Sequence, residues 1–242
     1  MKLTAGILII GSLHWSTEPH RISWRDNHLQ KAKDVAVKVP IRYGRVSRSK
    51  TYTMVFAPGS DMEQARVFEC KLTVSCIEEL VREAQALWLA ESPDGSPRQP
   101  TETLSGGWGC VTLLVNDQSN VPQSLLDQWA ERISQERFGR VRQRSYDSQR
   151  YSVNGVSSIT DQGTLAIDWP NRADTGQRFA GLDLLLATAT RPTPYLDTGD
   201  FAPVEVIADA WNAVKDATYF RCNRANGFRT FQDAEIAALL RV

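Results

Sequence analysis

Hydrophobic and polar positions follow two different periods along this chain, and each period predicts one type of element. A continuous apolar run over residues 3–13 predicts a buried first strand. Alternation over residues 35–46 and 50–57 predicts two strands joined as a hairpin, and Pro40 indicates that the first of them is bent or lies at a sheet edge. Further strands are predicted at residues 66–73, 106–116, 150–153, 165–169 and 181–190.

Apolar residues spaced by three and four predict amphipathic helices between these strands. The clearest helix begins near Ser75, where Ser75 and Glu78 form a capping-box pattern ahead of an apolar stripe. Three more helices are predicted, at residues 122–138 with an end at Gly139, at 203–214 and at 231–240. A loop rich in Pro, Ser and Gly is predicted at residues 92–100.

The order of these elements indicates the fold class. Strands and helices do not alternate strictly, which favours an α+β fold over a parallel α/β fold. We expect a mixed, mostly antiparallel sheet or a small barrel, with flanking helices. A boundary near residue 145 would divide the chain into a first domain, 1–145, and a C-terminal α+β extension, 146–242, unless the two form a single domain.

Composition narrows the classes of partner. The chain of 242 residues has 28 Lys and Arg against 28 Asp and Glu, so its net charge does not predict attraction to nucleic acid or to an anionic membrane. The longest uncharged stretch, residues 3–17, is too short to span a membrane. No P-loop and no dinucleotide-binding glycine pattern occurs, so we expect no nucleotide cofactor.

Cysteine and histidine usage predicts the compartment and the metal content. The four cysteines form no C-x-x-C pair and no spacing typical of a secreted framework, which favours reduced thiols and a cytoplasmic location. The N-terminus lacks the small-residue cleavage pattern of a signal peptide. His14, His20 and His28 lie six and eight residues apart, which matches no compact zinc site, so we expect no metal.

The first 50 residues are basic, with ten Lys and Arg against three Asp and Glu. Arg21 and Arg25 are four residues apart and would share one face of a helix. With Arg42, Arg45 and nearby tryptophans, they could form a surface that recognises a phosphorylated ligand, a nucleotide or an acidic protein without catalysis. Alternatively, they pair with the acidic segment 51–100, which has eight Asp and Glu against four Lys and Arg.

The most informative pattern follows the first predicted strand. Gly11 and Ser12 form a turn that can expose successive backbone N–H groups to a carboxylate or phosphate. The alternative is an ordinary turn at the end of a strand, with Trp15 packed against the core.

The sequence Gly11-Ser12-Leu13-x-Trp15 after a hydrophobic strand resembles the Y-G-S-L-x-W motif of the gamma-glutamylcyclotransferase-like family, with Ile10 in place of the tyrosine. The resemblance covers roughly the first 120 residues. It implies a small mixed barrel with flanking helices, a motif backbone that holds the carboxylate of a γ-glutamyl group, and a glutamate that acts as general acid and base. On the helix predicted after Ser75, Glu83 is the first candidate for this glutamate and Glu79 the second.

The implied reaction is intramolecular and its ligand is a small carboxylate. The amino group of a γ-glutamyl unit attacks its own amide carbonyl and releases 5-oxoproline. A carboxylate must take a proton from the ammonium and return one to the leaving amine, and a pKa raised by burial suits that role. The expected substrate-binding residues are Gly11, Ser12, Leu13, Trp15, Arg21 and Arg25.

Overall fold

The structure is a computed structural model that describes residues 1–91, 103–138, 143–196 and 198–242. The predicted loop at residues 92–100 and the predicted helix end at Gly139 lie outside these ranges. The described strands are β1 (Ala5–Ile9), β2 (Leu29–Val46), β3 (Tyr52–Phe56), β4 (Met62–Cys70), β5 (Gly109–Val115), β6 (Arg137–Phe138), β7 (Gln143–Arg144), β8 (Ser152–Val153), β9 (Val156–Ser157), β10 (Asn171–Arg172) and β11 (Leu184–Thr190).

Seven α-helices lie within the described ranges. They are α1 (Ser12–Trp15), α2 (Pro19–His28), α3 (Ile77–Glu91), α4 (Gln123–Ser134), α5 (Val204–Val214), α6 (Thr218–Ala225) and α7 (Asp233–Leu239). None of these helices combines the length and the apolar character that a membrane crossing needs.

One sheet of seven strands organises the fold. Its order is β10-β2-β4-β1-β11-β5, and β3 also pairs with β2. Only β1 and β11 pair in parallel, and the other neighbours in this sheet are antiparallel. The α+β class with a mixed, mostly antiparallel sheet is therefore confirmed. The described strands do not close into the small barrel that we gave as the alternative.

The central strands have the continuous apolar character of strands covered on both faces. Every residue of β1 is buried, and β11 is buried from Leu184 to Ala189. Because β11 lies between β1 and β5, strands from both sides of residue 145 belong to one sheet. One cluster of buried residues extends from Leu3 to Ile236. The division at residue 145 thus does not separate two cores.

Strand β2 changes its partner at Pro40. Up to Pro40 it pairs with β4, and from Ile41 it pairs with β3. Proline lacks a backbone N–H, so it is tolerated where one ladder ends and another begins. The register shifts again between Tyr43 and Arg45, where a Cβ on Gly44 would lie 2.7 Å from side-chain atoms of Phe201.

Several elements differ from the prediction. The first strand ends at Ile9, and α1 begins at Ser12. Helices α2 and α6 were not predicted, and the predicted strand at residues 165–169 is reduced to an isolated bridge between Ile159 and Leu165. At the start of α3, it is Glu79 rather than Glu78 that accepts hydrogen bonds from the Ser75 backbone N–H and hydroxyl, both at 2.7 Å.

Candidate functional site

A cavity of about 770 Å³ opens beside the end of β1. Its wall is formed by α1, the hairpin between β2 and β3, the last turn of α3, the segment before β5 and the end of β11. A volume of this size is typical of small-molecule sites. Its main polar groups come from Ser12, Arg21, Arg45, Arg48, Glu91 and Tyr219.

The glycine of the predicted motif permits a close approach at the cavity wall. A Cβ on Gly11 would lie 2.5 Å from the Tyr219 hydroxyl oxygen, so any larger residue would displace this tyrosine. The Tyr219 hydroxyl also accepts a hydrogen bond from the Met54 backbone N–H at 3.4 Å. The end of β1 is therefore fixed against α6 and β3 at the point where it enters the cavity.

Arg21 connects three elements around the cavity. Its Nη1 donates to Ser12 Oγ at 3.0 Å, and its Nε donates to the Ala90 carbonyl at 3.2 Å. Its Nη2 lies 3.5 Å from Glu91 Oε2, and its Nε lies 3.1 Å from Glu18 Oε2. One guanidinium from α2 thus holds the Gly-Ser turn and the end of α3 in fixed positions.

Among the described residues that line the cavity, Glu91 is the one that carries a carboxylate. Its side chain retains 20% exposure. Desolvation raises the pKa of Glu91 above its ordinary value, although the Arg21 and Arg45 guanidinium groups act in the opposite direction. Glu91 is also the last residue of α3, where the partial negative charge of the helix end disfavours a second negative charge. Such a carboxyl group can take up and release a proton closer to neutral pH.

Four of the predicted binding residues come together here. Gly11, Ser12, Leu13 and Arg21 all line the cavity.

Trp15 and Arg25 do not line the cavity and instead support its wall. The Trp15 Nε1 donates to Asn223 Oδ1 at 2.7 Å, and its ring packs edge-on against Tyr219. The Arg25 guanidinium donates to the carbonyls of Leu13 and Ser16, both at 2.6 Å.

The two predicted catalytic glutamates lie outside the cavity. Glu79 is exposed and holds the start of α3 through Ser75, and these hydrogen bonds lower its pKa. Glu83 is 3% exposed, and its Oε2 lies 2.9 Å from His28 Nδ1. The cavity meets α3 at its C-terminal end, about two turns beyond Glu83. In this geometry Glu91, rather than Glu83 or Glu79, is the candidate for proton transfer.

Sequence reasoning missed Glu91, although a signal for it exists. Leu80, Ala84 and Leu87 form a buried stripe with spacings of four and three, and Glu91 continues it at the next spacing of four. A glutamate that extends an apolar helical stripe is a candidate for burial.

The predicted arginine surface is divided in the structure. Arg21 and Arg45 line the cavity, whereas Arg42 packs against Phe201 and Phe231, with its guanidinium carbon 4.4 and 5.3 Å from the two ring centres. In the described part of the chain, no group of three or more His, Cys, Asp and Glu side chains is arranged to hold a metal ion.

The cavity joins a turn that can hold a carboxylate, several cationic groups and a carboxyl group able to exchange protons. This set can bind a small anion and move a proton on it. Comparison of the chain with protein-family models, with curated proteins and with solved structures gives no match.

Proposed function

We propose that the cavity binds a γ-glutamyl compound, or a related carboxylate that carries an amine, and that it converts a γ-glutamyl amide to 5-oxoproline and a free amine. One observation carries this proposal. The Glu91 carboxyl, whose pKa is raised by burial, lies in the same cavity as Gly11, Ser12 and Leu13. A single guanidinium, that of Arg21, contacts both Ser12 and Glu91.

The turn would hold the carboxylate of the substrate. Ser12 Oγ accepts a hydrogen bond from Arg21, which leaves the hydroxyl proton of Ser12 available to donate to a ligand. Gly11 carries no side chain, so a ligand can approach its backbone closely. Arg21 adds positive charge beside the same position.

Glu91 would move the protons of the reaction. Its ionised form takes a proton from the substrate ammonium, and the free amine then attacks the γ-amide carbonyl carbon. A new C–N bond closes the five-membered ring, and the C–N bond to the leaving amine breaks. Two protons move in total from the attacking nitrogen to the leaving nitrogen, and Glu91 carries them one at a time. A raised pKa suits a group that must both take and return a proton.

Release of 5-oxoproline from a panel of γ-glutamyl amines tests this proposal. The wild-type protein should release 5-oxoproline, and Glu91→Gln should reduce the rate about 100-fold or more, the usual contribution of a general acid–base group. Glu83→Gln is the matched control, since it makes the same change on the same helix outside the cavity, and should keep the rate within about threefold. The proposal fails if the wild type releases none or if Glu91→Gln keeps the full rate.

A second candidate is a non-catalytic anion-binding module. It is favoured by the three arginines, Arg21, Arg45 and Arg48, that line one cavity. This alternative predicts ligand binding that weakens with added salt, without any 5-oxoproline release.

A cytoplasmic location is part of the same proposal. All four cysteines are free thiols, and Cys70 and Cys110 are buried. Reduced thiols of this kind are typical of proteins in reducing compartments.

A further inference from the structure

The hydroxyl group of Tyr219 lies where the Gly-Ser turn enters the cavity. Tyr219 belongs to α6 and lines the cavity, and its hydroxyl oxygen lies 2.5 Å from the position that a Cβ on Gly11 would take. Its ring is held edge-on between the rings of Trp15 and Tyr43, whose centres lie 6.0 and 6.4 Å away. A residue of α6 thus brings a polar atom to the turn that the proposed function assigns to the substrate.

The protein presents hydrogen-bond donors to this hydroxyl oxygen. The Met54 backbone N–H donates to it at 3.4 Å. The side chain of Asn223 lies beside it, with Oδ1 3.8 Å from the same Cβ position on Gly11. Trp15 Nε1 can only donate, and it takes Asn223 Oδ1 as its acceptor at 2.7 Å. The group that Asn223 has left is its Nδ2, which is also a donor.

The proton of the Tyr219 hydroxyl is therefore left for a ligand. Among the described residues, no oxygen accepts a hydrogen bond from this hydroxyl. Desolvation raises the pKa of Tyr219 above its ordinary value, although the donors of Asn223 and Met54 act in the opposite direction. The hydroxyl thus stays protonated and neutral near pH 7, and it can donate one hydrogen bond into the cavity.

The hydroxyl of Tyr219 lies at the same end of the cavity as Glu91 and Arg45. Beyond desolvation, which is the main cause of its raised pKa, the charge of Glu91 raises the pKa of Tyr219 further and the charge of Arg45 lowers it. Arg45 itself is stacked on Trp108, with its guanidinium carbon 5.3 Å from the centre of that ring. Tyr219 is therefore close enough to the proton-transfer group Glu91 to act on the same part of a substrate.

The proposed reaction needs a donor at this position. When the amine attacks the γ-amide carbonyl, the electron pair of the C=O double bond moves to the oxygen, which becomes an oxyanion. The pair returns when the leaving amine departs. Both nitrogens that exchange protons with Glu91 are bonded to this carbon, so the oxyanion forms beside Glu91. The substrate carboxylate already has Ser12 and Arg21, whereas no group has yet been assigned to the oxyanion.

We infer that Tyr219 is a further catalytic residue, whose hydroxyl donates a hydrogen bond to the γ-carbonyl oxygen and stabilises the oxyanion that forms there. The inference rests on the proposed function for the position of the γ-glutamyl head group and for the role of Glu91. Tyrosine hydroxyls are among the donors that form oxyanion holes, and this one is held in place before the substrate arrives. Tyr219 keeps its own proton throughout. Asn223 and Trp15 are positioning residues.

Steady-state kinetics of 5-oxoproline release from a γ-glutamyl amine test the inference. Tyr219→Phe keeps the ring and removes the donor, and should lower kcat about 100-fold while KM stays within about threefold, because the oxyanion exists only during the reaction. Its Tm should fall by no more than about 4 °C, since it loses one long hydrogen bond to Met54. Tyr43→Phe is the matched control, because Tyr43 is a fully buried neighbour outside the cavity, and it should keep both constants.

The division between kcat and KM separates this role from the alternatives. An unchanged kcat with a raised KM in Tyr219→Phe would show that the hydroxyl binds the substrate equally before and during the reaction, which would overturn the inference. An equal loss of kcat in Tyr43→Phe would show that packing of the rings, rather than the donor, controls the rate. That result would also overturn it.

A measurement on the wild type decides the question even if Tyr219→Phe does not fold. In a γ-phosphonamidate analogue, a tetrahedral phosphorus that carries an oxyanion replaces the γ-carbonyl carbon. Binding of this analogue should change the ¹³C chemical shift of the Tyr219 Cζ and leave that of the Tyr43 Cζ unchanged. A bound analogue that leaves the Tyr219 signal unchanged, or an analogue that does not bind, would contradict the inference.

The same experiments distinguish failure of this inference from failure of the proposed function. If the wild type releases 5-oxoproline, Glu91→Gln loses this activity and Tyr219→Phe keeps the full kcat, only the inference is refuted. If the wild type releases no 5-oxoproline from any γ-glutamyl amine, the proposed function is refuted, and the catalytic role of Tyr219 falls with it.

Discussion

Helix α3 carries two carboxylates that are largely removed from solvent, Glu83 and Glu91, and their surroundings differ. Glu83, in the middle of the helix, is 3% exposed and lies against His28 Nδ1 at 2.9 Å. Glu91, the last residue of the helix, opens into the cavity with its closest guanidinium, that of Arg21, at 3.5 Å. Glu83 has a close partner and lies outside the cavity. Glu91 lines the cavity, where a ligand can reach it, and its pKa is raised.

This difference shows that burial alone does not identify a reactive carboxylate. A buried carboxylate with a good hydrogen-bond partner stabilises the fold, and removing that partner is costly. A carboxylate at a cavity wall with a more distant counter-ion can change its protonation state when a ligand enters. The two positions on one helix allow this distinction to be tested.

The largest expected effect is on stability at Glu83. Glu83→Ala should lower the free energy of unfolding by about 2–3 kcal/mol, because it leaves His28 without its partner and opens a void in a packed region. For a chain of this size, this corresponds to a fall of about 4–12 °C in Tm. Glu91→Ala should change Tm by no more than about 2 °C, because its carboxyl already bears a desolvation penalty. Thermal unfolding of both variants measures this, and equal losses would contradict the distinction.

The next largest effect is on activity, and it distinguishes two arginines of helix α2, Arg21 and Arg25. Arg21→Ala should lower kcat/KM about tenfold, because it removes the group that contacts both Ser12 and Glu91. Arg25→Ala should instead lower the stability by about 1–2 kcal/mol, because the carbonyls of Leu13 and Ser16 lose their donor. Kinetics and thermal unfolding on both variants check the assignment. The same kinetic loss in both would indicate that the turn, rather than a direct contact, controls the activity.

The smallest effect is a pH dependence of stability. Because the pKa of Glu91 is raised in the folded chain, its contribution to stability is present below the pKa of the unfolded chain and is lost as the pH rises through the folded value. Glu91→Gln should therefore gain stability relative to the wild type as the pH rises from the unfolded glutamate value of about 4.3 through the raised pKa of the folded chain.

Glu79→Gln provides the control of opposite sign. Ser75 lowers the pKa of Glu79, so this carboxylate stabilises the folded state above its unfolded pKa and loses that contribution as the pH falls. Unfolding midpoints over the pH range measure both variants. The same sign of change in both would contradict the account of Glu91.

Much of the fold follows from local periodicity. The apolar runs of β1 and β11, the alternation in β2 and β3 and the stripes of α3 and α4 were all predicted, although β2 begins at Leu29, six residues before the predicted start. The pairing of β1 with β11 joins residues about 180 positions apart, such as Ala5 and Leu184, and no local pattern specifies it. Helices α2 and α6 escaped prediction because each buries so few residues that its apolar stripe is too short to recognise.

The candidate site was predicted in part. The turn at Gly11 and Ser12 has a local signature, and Arg21 was chosen for its charge. Glu91 was missed because it faces a cavity only through the packing of α3 against strands that are distant in the sequence. The stack of Arg45 on Trp108 likewise joins residues that are far apart in the sequence.

The protonation of Glu91, followed by the chemical shift of its ¹³C-labelled carboxyl carbon, tests the central claim most directly. We predict a titration midpoint above the ordinary glutamate value of about 4.3, absent in Glu91→Gln and shifted when a γ-glutamyl amine is added. The Glu83 signal should not respond to this ligand, since Glu83 lies outside the cavity. A Glu91 midpoint at or below the ordinary value, unchanged by the ligand, would contradict the account.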